Sequence, residues 1–430
     1  ASMLGAPLTA EVATKDGKVE VKAAGTLNVR NLRQQYGHPV FEHLSGSSPW
    51  SGTVRVKKRA AEVRIESSLQ GISSSLPEPF NKSATGSMPL VFERKPPPDQ
   101  PRSRRQADAA TPVRDQLTAS LGEALRLQLV RRHDPDQIVV ERGLIAIGGN
   151  DLRLPERGVT LGIRTSELDT DFWRRLLAGN GNGNGGAGGS GLPLRQLDLR
   201  ANRVLVQGRV VSDVQLAGAL DSGIWRLDLK SREAAGRLEW NGEGAGRLSG
   251  HLAHVTLPDK AAAVEEDTTP QPTSDSWPAI DLTVDRFQMH GMDLGALRLA
   301  AENTDGVWNA RFDASSDAGS IQGSGRWRPG PTQTMTHLDF KLTAKSIEKM
   351  LARLGYPNAV RRGTATLEGA LDWAGAPTAL DYRSLNGKLV LAAGGGQFNK
   401  LEPGMGRLLG IVSLQSLPRR ITLDFRDVFS

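Results

Sequence analysis

Seven histidines and a scatter of carboxylates are the groups in this chain that could move protons or hold a metal, so their spacing comes first. His251 and His254 form the closest histidine pair, but they lie in an alternating apolar/polar segment. A separation of three on a strand turns two side chains to opposite faces, which argues against a shared metal ion. Asp134 with Asp136, and Glu265 with Glu266, fall in polar connectors, where solvated carboxylates are the ordinary outcome and a general acid–base pair the rare one. Gly181, Gly183 and Gly186 satisfy a G-x-G-x-x-G spacing, yet they sit in a Gly/Asn run without the strand and helix that a phosphate cradle requires. There is no His-Glu-x-x-His, Walker A or Gly-x-Ser-x-Gly pattern. The absence of cysteine removes thiol catalysis, disulfides and Cys-based zinc sites together. No catalytic residue, metal ligand or cofactor is assigned, and the chain reads as non-enzymatic.

What remains is apolar patterning. A net charge of +7 on 430 residues is modest, and an aromatic share of 5% offers few platforms for stacking bases, so nucleic acid is not an expected partner. No run approaches the roughly 18 apolar residues of a membrane helix. The chain opens Ala1-Ser2-Met3 without a signal segment and stops in a strand-like run at Ser430. It is therefore expected to be a piece of a longer protein.

The dominant pattern has period two. Val54/Val56, Val63/Ile65, Leu125/Leu127/Leu129, Leu197/Leu199, Val204/Val206, Val214/Leu216, Leu227/Leu229, Leu297/Leu299 and Ile421/Leu423/Phe425 place apolar residues two apart. Such runs are half-buried strands, because successive side chains leave opposite faces of a pleated sheet. Sliding the chain on itself by 83 residues superposes Trp225 on Trp308, Leu199 on Leu282, Val204 on Phe287, Val206 on Met289, Val214 on Leu297 and Leu216 on Leu299. Gly208, Gly223 and Gly236 meet Gly291, Gly306 and Gly319 at the same offset. Apolar parity and turn glycines recur together, as a multi-strand unit repeated along a sheet would leave them.

Three stretches read as connectors: 93–113 with Pro96 to Pro98 and Arg102, Arg104 and Arg105, the Gly/Asn run 179–191, and the acidic Pro-rich 263–277. The expected segmentation is a β segment with a short helix over 1–92, a linker, a β segment ending in a short helix over 114–178, and the Gly-rich linker. A first β repeat over 192–262, the acidic linker, a second β repeat over 278–344, and helix, strands, apolar helix and terminal strand over 345–430 complete it. Helices are expected after Ser346 (Ile347, Met350, Leu351, Leu354, stopping at Gly355 and Pro357), after Asp169 (Phe172, Trp173, Leu176, Leu177, closing at Gly179), over Leu32 to Tyr36, and over Pro403 to Leu417. Each would cover a sheet edge or end. The fold expected is mainly β: a long curled antiparallel sheet forming an open apolar groove, with a few short amphipathic helices. The expected lining is Leu199, Val204, Val206, Val214, Leu216, Trp225, Leu227 and Leu229 from the first repeat, and Leu282, Phe287, Met289, Leu297, Leu299, Trp308 and Phe312 from the second. For Trp225 and Trp308, ordinary core packing is the competing reading.

The run from Arg407 to Ser430 (RLLGIVSLQSLPRRITLDFRDVFS) is similar to the signature of the YhdP family within the AsmA-like superfamily. Leu76-Pro77-Glu78-Pro79-Phe80-Asn81-Lys82 and Leu168-Asp169-Thr170-Asp171-Phe172-Trp173 resemble other stretches of that family, and Gly369-Ala370-Leu371-Asp372-Trp373 fits it less specifically. The resemblance runs from about Gly25 to the end. It implies an inner-membrane helix followed by a long periplasmic β structure with an apolar groove, of which this chain would be a C-terminal portion lacking the helix and the last segment. It further implies phospholipid movement between the inner and outer membranes of a Gram-negative envelope. The partners would be phospholipid acyl chains and, through the missing terminal parts, both membranes; protein partners are not identified. The alternative is a periplasmic scaffold or assembly factor with a closed, dry β core.

Overall fold

The computed structural model describes residues 2–3, 6–15, 18–57, 60–96, 113–149, 151–178, 192–206, 208–257, 277–289, 291–328, 334–353, 356–377, 381, 383–398 and 419–424. The chain is mainly β and divides into two compact units, Ala1–Ser222 and Gly223–Ser430.

In the first unit, β1 (Ser2–Met3), β2 (Ala6–Lys15), β3 (Lys18–Asn28), β4 (Leu44–Lys57) and β5 (Ala60–Ser67) pair in sequence order, while β6 (Ile72–Ser74) folds back onto the start of β4. The sheet continues through β7 (Leu90–Lys95), β8 (Val113–Leu121), β9 (Leu125–His133), β10 (Ile138–Ile147), β11 (Gly158–Asp169), β12 (Leu194–Val206) and β13 (Arg209–Asp221). All joins are antiparallel except β10–β11 and β11–β12.

The second unit is a ladder in sequence order: β14 (Ile224–Lys230), β15 (Ala234–Asn241), β16 (Arg247–Leu257), β17 (Ala279–Met289), β18 (Met292–Thr304), β19 (Val307–Ser315), β20 (Gly319–Arg328), β21 (Met335–Ala344), β22 (Val360–Ala374), β23 (Asn386–Phe398) and β24 (Arg419–Asp424). Among the described pairings of this unit, β16–β17 is the parallel one. The expected sheet is thus present but mixed rather than wholly antiparallel. Period-two patterning reports which residues share a face and carries no information on strand direction, because parallel and antiparallel strands alternate alike.

Three α-helices are described, each started by a side-chain cap. Asn28 accepts a hydrogen bond from the Arg30 amide (2.9 Å) to open α1 (Val29–Tyr36), which Gly37 closes at φ 61° with its N–H on the Arg33 carbonyl. Asp169 accepts from the Phe172 amide (2.8 Å) at α2 (Thr170–Ala178), and Ser346 from the Lys349 amide (3.3 Å) at α3 (Ile347–Arg353). Gly179, Leu354, Gly355, Pro403 to Leu417, and Arg102, Arg104 and Arg105 lie outside the described residues, as does most of the terminal run that carries the resemblance.

The repeat is legible in backbone geometry. Shifting β13 by 83 residues reproduces the bounds of β18, and Gly208/Gly291 (φ 71° and 74°), Ser222/Asp305 (both 51°) and Gly223/Gly306 (84° and 75°) match pairwise. Ser222-Gly223 and Asp305-Gly306 each carry two successive positive φ values, the requirement of a type I′ turn.

Candidate functional site

In the second unit, strand register assembles continuous apolar rows. Leu227 pairs with Leu238, and Leu238 with Gly250; the row continues through Leu282, Leu299, Phe312, Gly323, Phe340 and Gly369 to Leu389. A flanking row on the same face runs from Leu229 through Leu252, Val284, Leu297, Ala314, Ile321, Leu342 and Leu367 to Leu391. The intervening positions carry charge: Asp228, Arg237, Arg298, Asp313, Lys341 and Glu368 fall in one row of the opposite face, with Arg237–Asp228 and Lys341–Glu368 ion pairs at 3.3 and 2.9 Å.

Glycines in the central row are filled by their neighbours. A Cβ on Gly323 would stand 2.6 Å from the Phe312 ring, and one on Gly369 would stand 2.5 Å from both the Phe340 ring and Leu389 Cδ2. Each ring therefore lies across the glycine of the next strand, covering backbone that would otherwise be bare.

The two margins of this face are closed, and the middle is not. At one margin Trp308 and Trp327 stand opposite each other, with Trp277 packed edge-on and tilted against them at 5.3 and 4.7 Å and the Trp308 Nε1 donating to the Pro278 carbonyl. Trp327 is only 2% exposed. At the other margin, α3 packs on β22 and β18. Arg353 there bridges Asp293 (2.7 Å) and Asp317 (2.6 Å), and Lys349 also reaches Asp317 (3.3 Å). Between the margins, Leu227, Leu282, Leu299, Phe312 and Phe340 are half-buried and keep surface open to solvent. On the opposite face, a cavity of about 940 Å³ is a furrow between charged rows, with Arg298, Asp313, Lys341 and Glu368 along one side.

The first unit carries a corresponding row, from Ala10 through Ala23, Gly52, Ile65, Phe92, Ala119, Leu127, Ile145 and Leu161 to Leu197. Its second face differs, because chain is laid over it. The Leu152 carbonyl in the β10–β11 crossover accepts from Arg126 (3.0 Å), and Glu78 accepts from the Ser166 hydroxyl. Val130, Leu144, Ala146 and Thr160 on that face are buried. The two upstream stretches that carry the resemblance meet there: Phe80 packs on Trp173 (5.7 Å), Trp173 on Phe172 (5.6 Å) and Phe172 on His43 (5.1 Å).

Of the residues singled out in the sequence, Leu216, Trp225, Leu227, Leu229, Leu282, Phe287, Met289, Leu297, Leu299 and Phe312 are half-buried. Leu199, Val204, Val214 and Trp308 are buried, and Val206 is 39% exposed. Trp225 stands opposite Trp240. Leu199 and Val204 share a burial class despite opposite parity, because two successive exposed residues, Asn202 and Arg203, shift the alternation by one, with Asp213 across the ladder at φ 54°. Asp285 and Arg286 repeat that slip between Val284 and Phe287, where the register also shifts. Sequence reasoning missed Phe340, Leu338 and Leu342, although His337-Leu338-Asp339-Phe340-Lys341-Leu342 alternates plainly, and it missed the closing role of Trp277.

Among the described residues no group of three or more His, Asp or Glu side chains could hold a metal ion, and no helix is long and apolar enough to cross a membrane. His251 Nε2 instead lies 2.9 Å from Asp285, and His254 Nε2 lies 3.3 Å from the Arg232 carbonyl.

Comparison with known proteins gives a family. The profile described as YhdP protein matches residues 1–430. The chain is also similar to the intermembrane phospholipid transporter YhdP of Escherichia coli (strain K12), at 22% identity over 451 residues that take in 100% of this chain and 34% of that relative. The chain thus spans about a third of the length of the curated relative it matches. No solved structure matches.

Proposed function

The chain belongs to the YhdP family, and on that premise we propose that it is one stretch of a periplasmic, non-enzymatic conduit that carries phospholipid between inner and outer membranes, with acyl chains lying along the apolar face. The observation that carries this reading is the half-burial of the central row from Leu227 to Leu389 between two closed margins. A sealed core would leave such side chains no accessible surface, and an ordinary solvated sheet would not align apolar residues over so many successive strands. The name of the Escherichia coli relative supports the cargo.

Exposing one acyl chain of about 16 carbons to water costs on the order of 13 kcal/mol at roughly 0.8 kcal/mol per CH₂. An apolar face offsets that cost wherever along it the chain lies. With strands about 4.8 Å apart, the row presents similar leucine and phenylalanine surface at each step, so a lipid would move along it over small barriers while its headgroup stays in water. Leu199, Val204, Val214 and Trp308, being buried, form the floor and margin in this reading; the half-buried residues touch the cargo.

A photoreactive amino acid at position 312 or 340 is expected to give phospholipid adducts in cells, and one at Arg311 or Lys341, on the opposite face, is not. Adducts at all four positions alike, or at none, would overturn the assignment; none, together with a lipid-free purified protein, would favour the scaffold with a dry core.

A further inference from the structure

Along the apolar face of the first unit, the register positions from β2 to β10 hold apolar residues, glycine, serine or threonine, with one exception among the described residues. Arg94, Asp115, Arg131 and His133 occupy four adjacent positions at one margin: Arg94 pairs with Leu117, Asp115 with Arg131, and His133 with Val113. Their side chains converge. Arg131 donates from Nε and Nη2 to the two Asp115 oxygens (2.9 and 2.8 Å), Arg94 donates from Nε (2.6 Å), and His133 Nε2 lies 3.0 Å from Oδ2. Asp115 is 5% exposed.

One carboxylate thus answers two guanidiniums and an imidazole, leaving an excess positive charge beside Leu117 and Leu129. On the opposite face of the same strands, Arg114 and Arg132 are matched by Glu141 and Asp134. Arg94 spends only Nε on Asp115, its terminal amino groups make no hydrogen bond among the described residues, and its side chain is 41% exposed. A planar guanidinium with free donors at the border of an apolar surface matches an amphiphile that carries a phosphate next to hydrocarbon.

We propose that Arg94, Arg131 and His133 form a subsite for the phosphate of a phospholipid headgroup, positioned by Asp115, with the acyl chains on the adjoining Leu117–Leu129 rows. Asp115 sets the level of charge: without it the two guanidiniums would repel each other, and with it a single excess charge remains for one phosphodiester. The inference deepens the proposed function and rests on it.

The test uses the full chain and three probes: phosphatidylglycerol, a diacylglycerol with the same acyl chains, and inorganic phosphate. Native mass spectrometry and the phosphorus NMR shift of bound lipid are the readouts. The intact chain is expected to retain phosphatidylglycerol over diacylglycerol, and Arg94→Gln to reduce that preference about tenfold while leaving diacylglycerol retention and the circular dichroism spectrum unchanged. Arg94→Lys should restore part of the preference. His133→Gln serves as a second variant should Arg94→Gln fail to fold. An unchanged preference in folded Arg94→Gln or His133→Gln, with the same phosphorus shift, would overturn the subsite. So would millimolar inorganic phosphate abolishing the preference, which would assign the cluster to free phosphate. Equal retention of both lipids by the intact chain would sink this inference alone, whereas retention of neither would sink the proposed function beneath it.

Discussion

The two units solve the same problem, an apolar face on a many-stranded sheet, with different second faces. In the first unit the crossover after β10 and the segment before β7 lie over the second face, so that Leu144 and Val130 are buried there. In the second unit the second face is a ladder of exposed charges, and buried side chains such as Trp308, Trp327, Leu252, Val284 and Ala314 lie on the apolar face itself. The first unit therefore holds a core independent of its apolar face. The second draws most of its cohesion from ladder hydrogen bonds, cross-strand pairs and that face itself. An apolar face can be kept half-open in a sheet only if something else supports the strands, and the two units show two such supports.

The comparison is broken most directly by placing a carboxylate in each setting. Leu144→Asp, at a position 2% exposed, is expected to unfold the first unit, since an unpaired buried charge costs several kcal/mol. Phe312→Asp should leave the second unit folded and abolish lipid adducts. Denaturant titration followed by circular dichroism, run beside crosslinking, reads both; a Phe312→Asp chain that unfolds as readily as Leu144→Asp would show the two faces to be equivalent cores. Next in size, Trp327→Ala should cost about 3–5 kcal/mol, as large-to-small changes in sealed sites do, and Trp225→Ala, half-buried, clearly less.

A smaller effect separates two glycines of the second unit. Gly369→Ala must displace the Phe340 ring and Leu389 away from the sheet, because its Cβ would meet them at 2.5 Å, whereas at Gly325 the nearest atom is 3.5 Å away. The first substitution is expected to lower bound lipid severalfold and the second to leave it unchanged; equal lipid content in both would detach the ring-on-glycine arrangement from cargo binding.

The smallest effect is in pH, and the units should respond in opposite directions. Burial raises the Asp115 pKa, but Arg131, Arg94 and His133 outweigh it and hold it at about 2. A depressed carboxylate contributes stability above its ordinary pKa near 3.8 that is lost as pH falls toward 2. For His337, burial opposes protonation, while Asp372 (2.7 Å) and Asp339 (2.9 Å) outweigh it and raise the pKa above 6.5. Its contribution is complete below 6.5 and lost as pH rises through the folded value. Asp115→Asn should therefore flatten the acid limb of the first unit and His337→Gln the limb above 6.5 of the second. Unchanged limbs would show that neither cluster is coupled to folding.

Much of the fold was legible because each strand reports its own faces. Leu227/Leu229 and Leu297/Leu299 alternate in the chain as they do in the sheet, and the turn glycines aligned by the 83-residue offset, Gly208/Gly291 and Gly223/Gly306, have similar positive φ values. Three things were not legible. The parallel joins at β10–β11, β11–β12 and β16–β17 depend on where connecting chain crosses the sheet, which alternation does not encode. The phase slips at Asn202-Arg203 and Asp285-Arg286 look in sequence like ordinary polar pairs; the first shows only in the burial pattern, and the second also as a register shift against β18. The Asp115 cluster left a faint signal, a charge at apolar parity in β8 and again in β9 where Leu125, Leu127 and Leu129 give way to Arg131 and His133, but the meeting with Arg94 needed the pairing of β7 with β8.

By itself, then, the sequence determined which side chains leave each strand together, where the chain turns, and that no thiol chemistry is available, because these follow from local geometry and residue type. Only the tertiary structure decided which strands lie side by side, which rows become sealed or half-open, and which charges end up beside hydrocarbon. Those outcomes depend on register between segments tens of residues apart, and on what other chain is laid across each face.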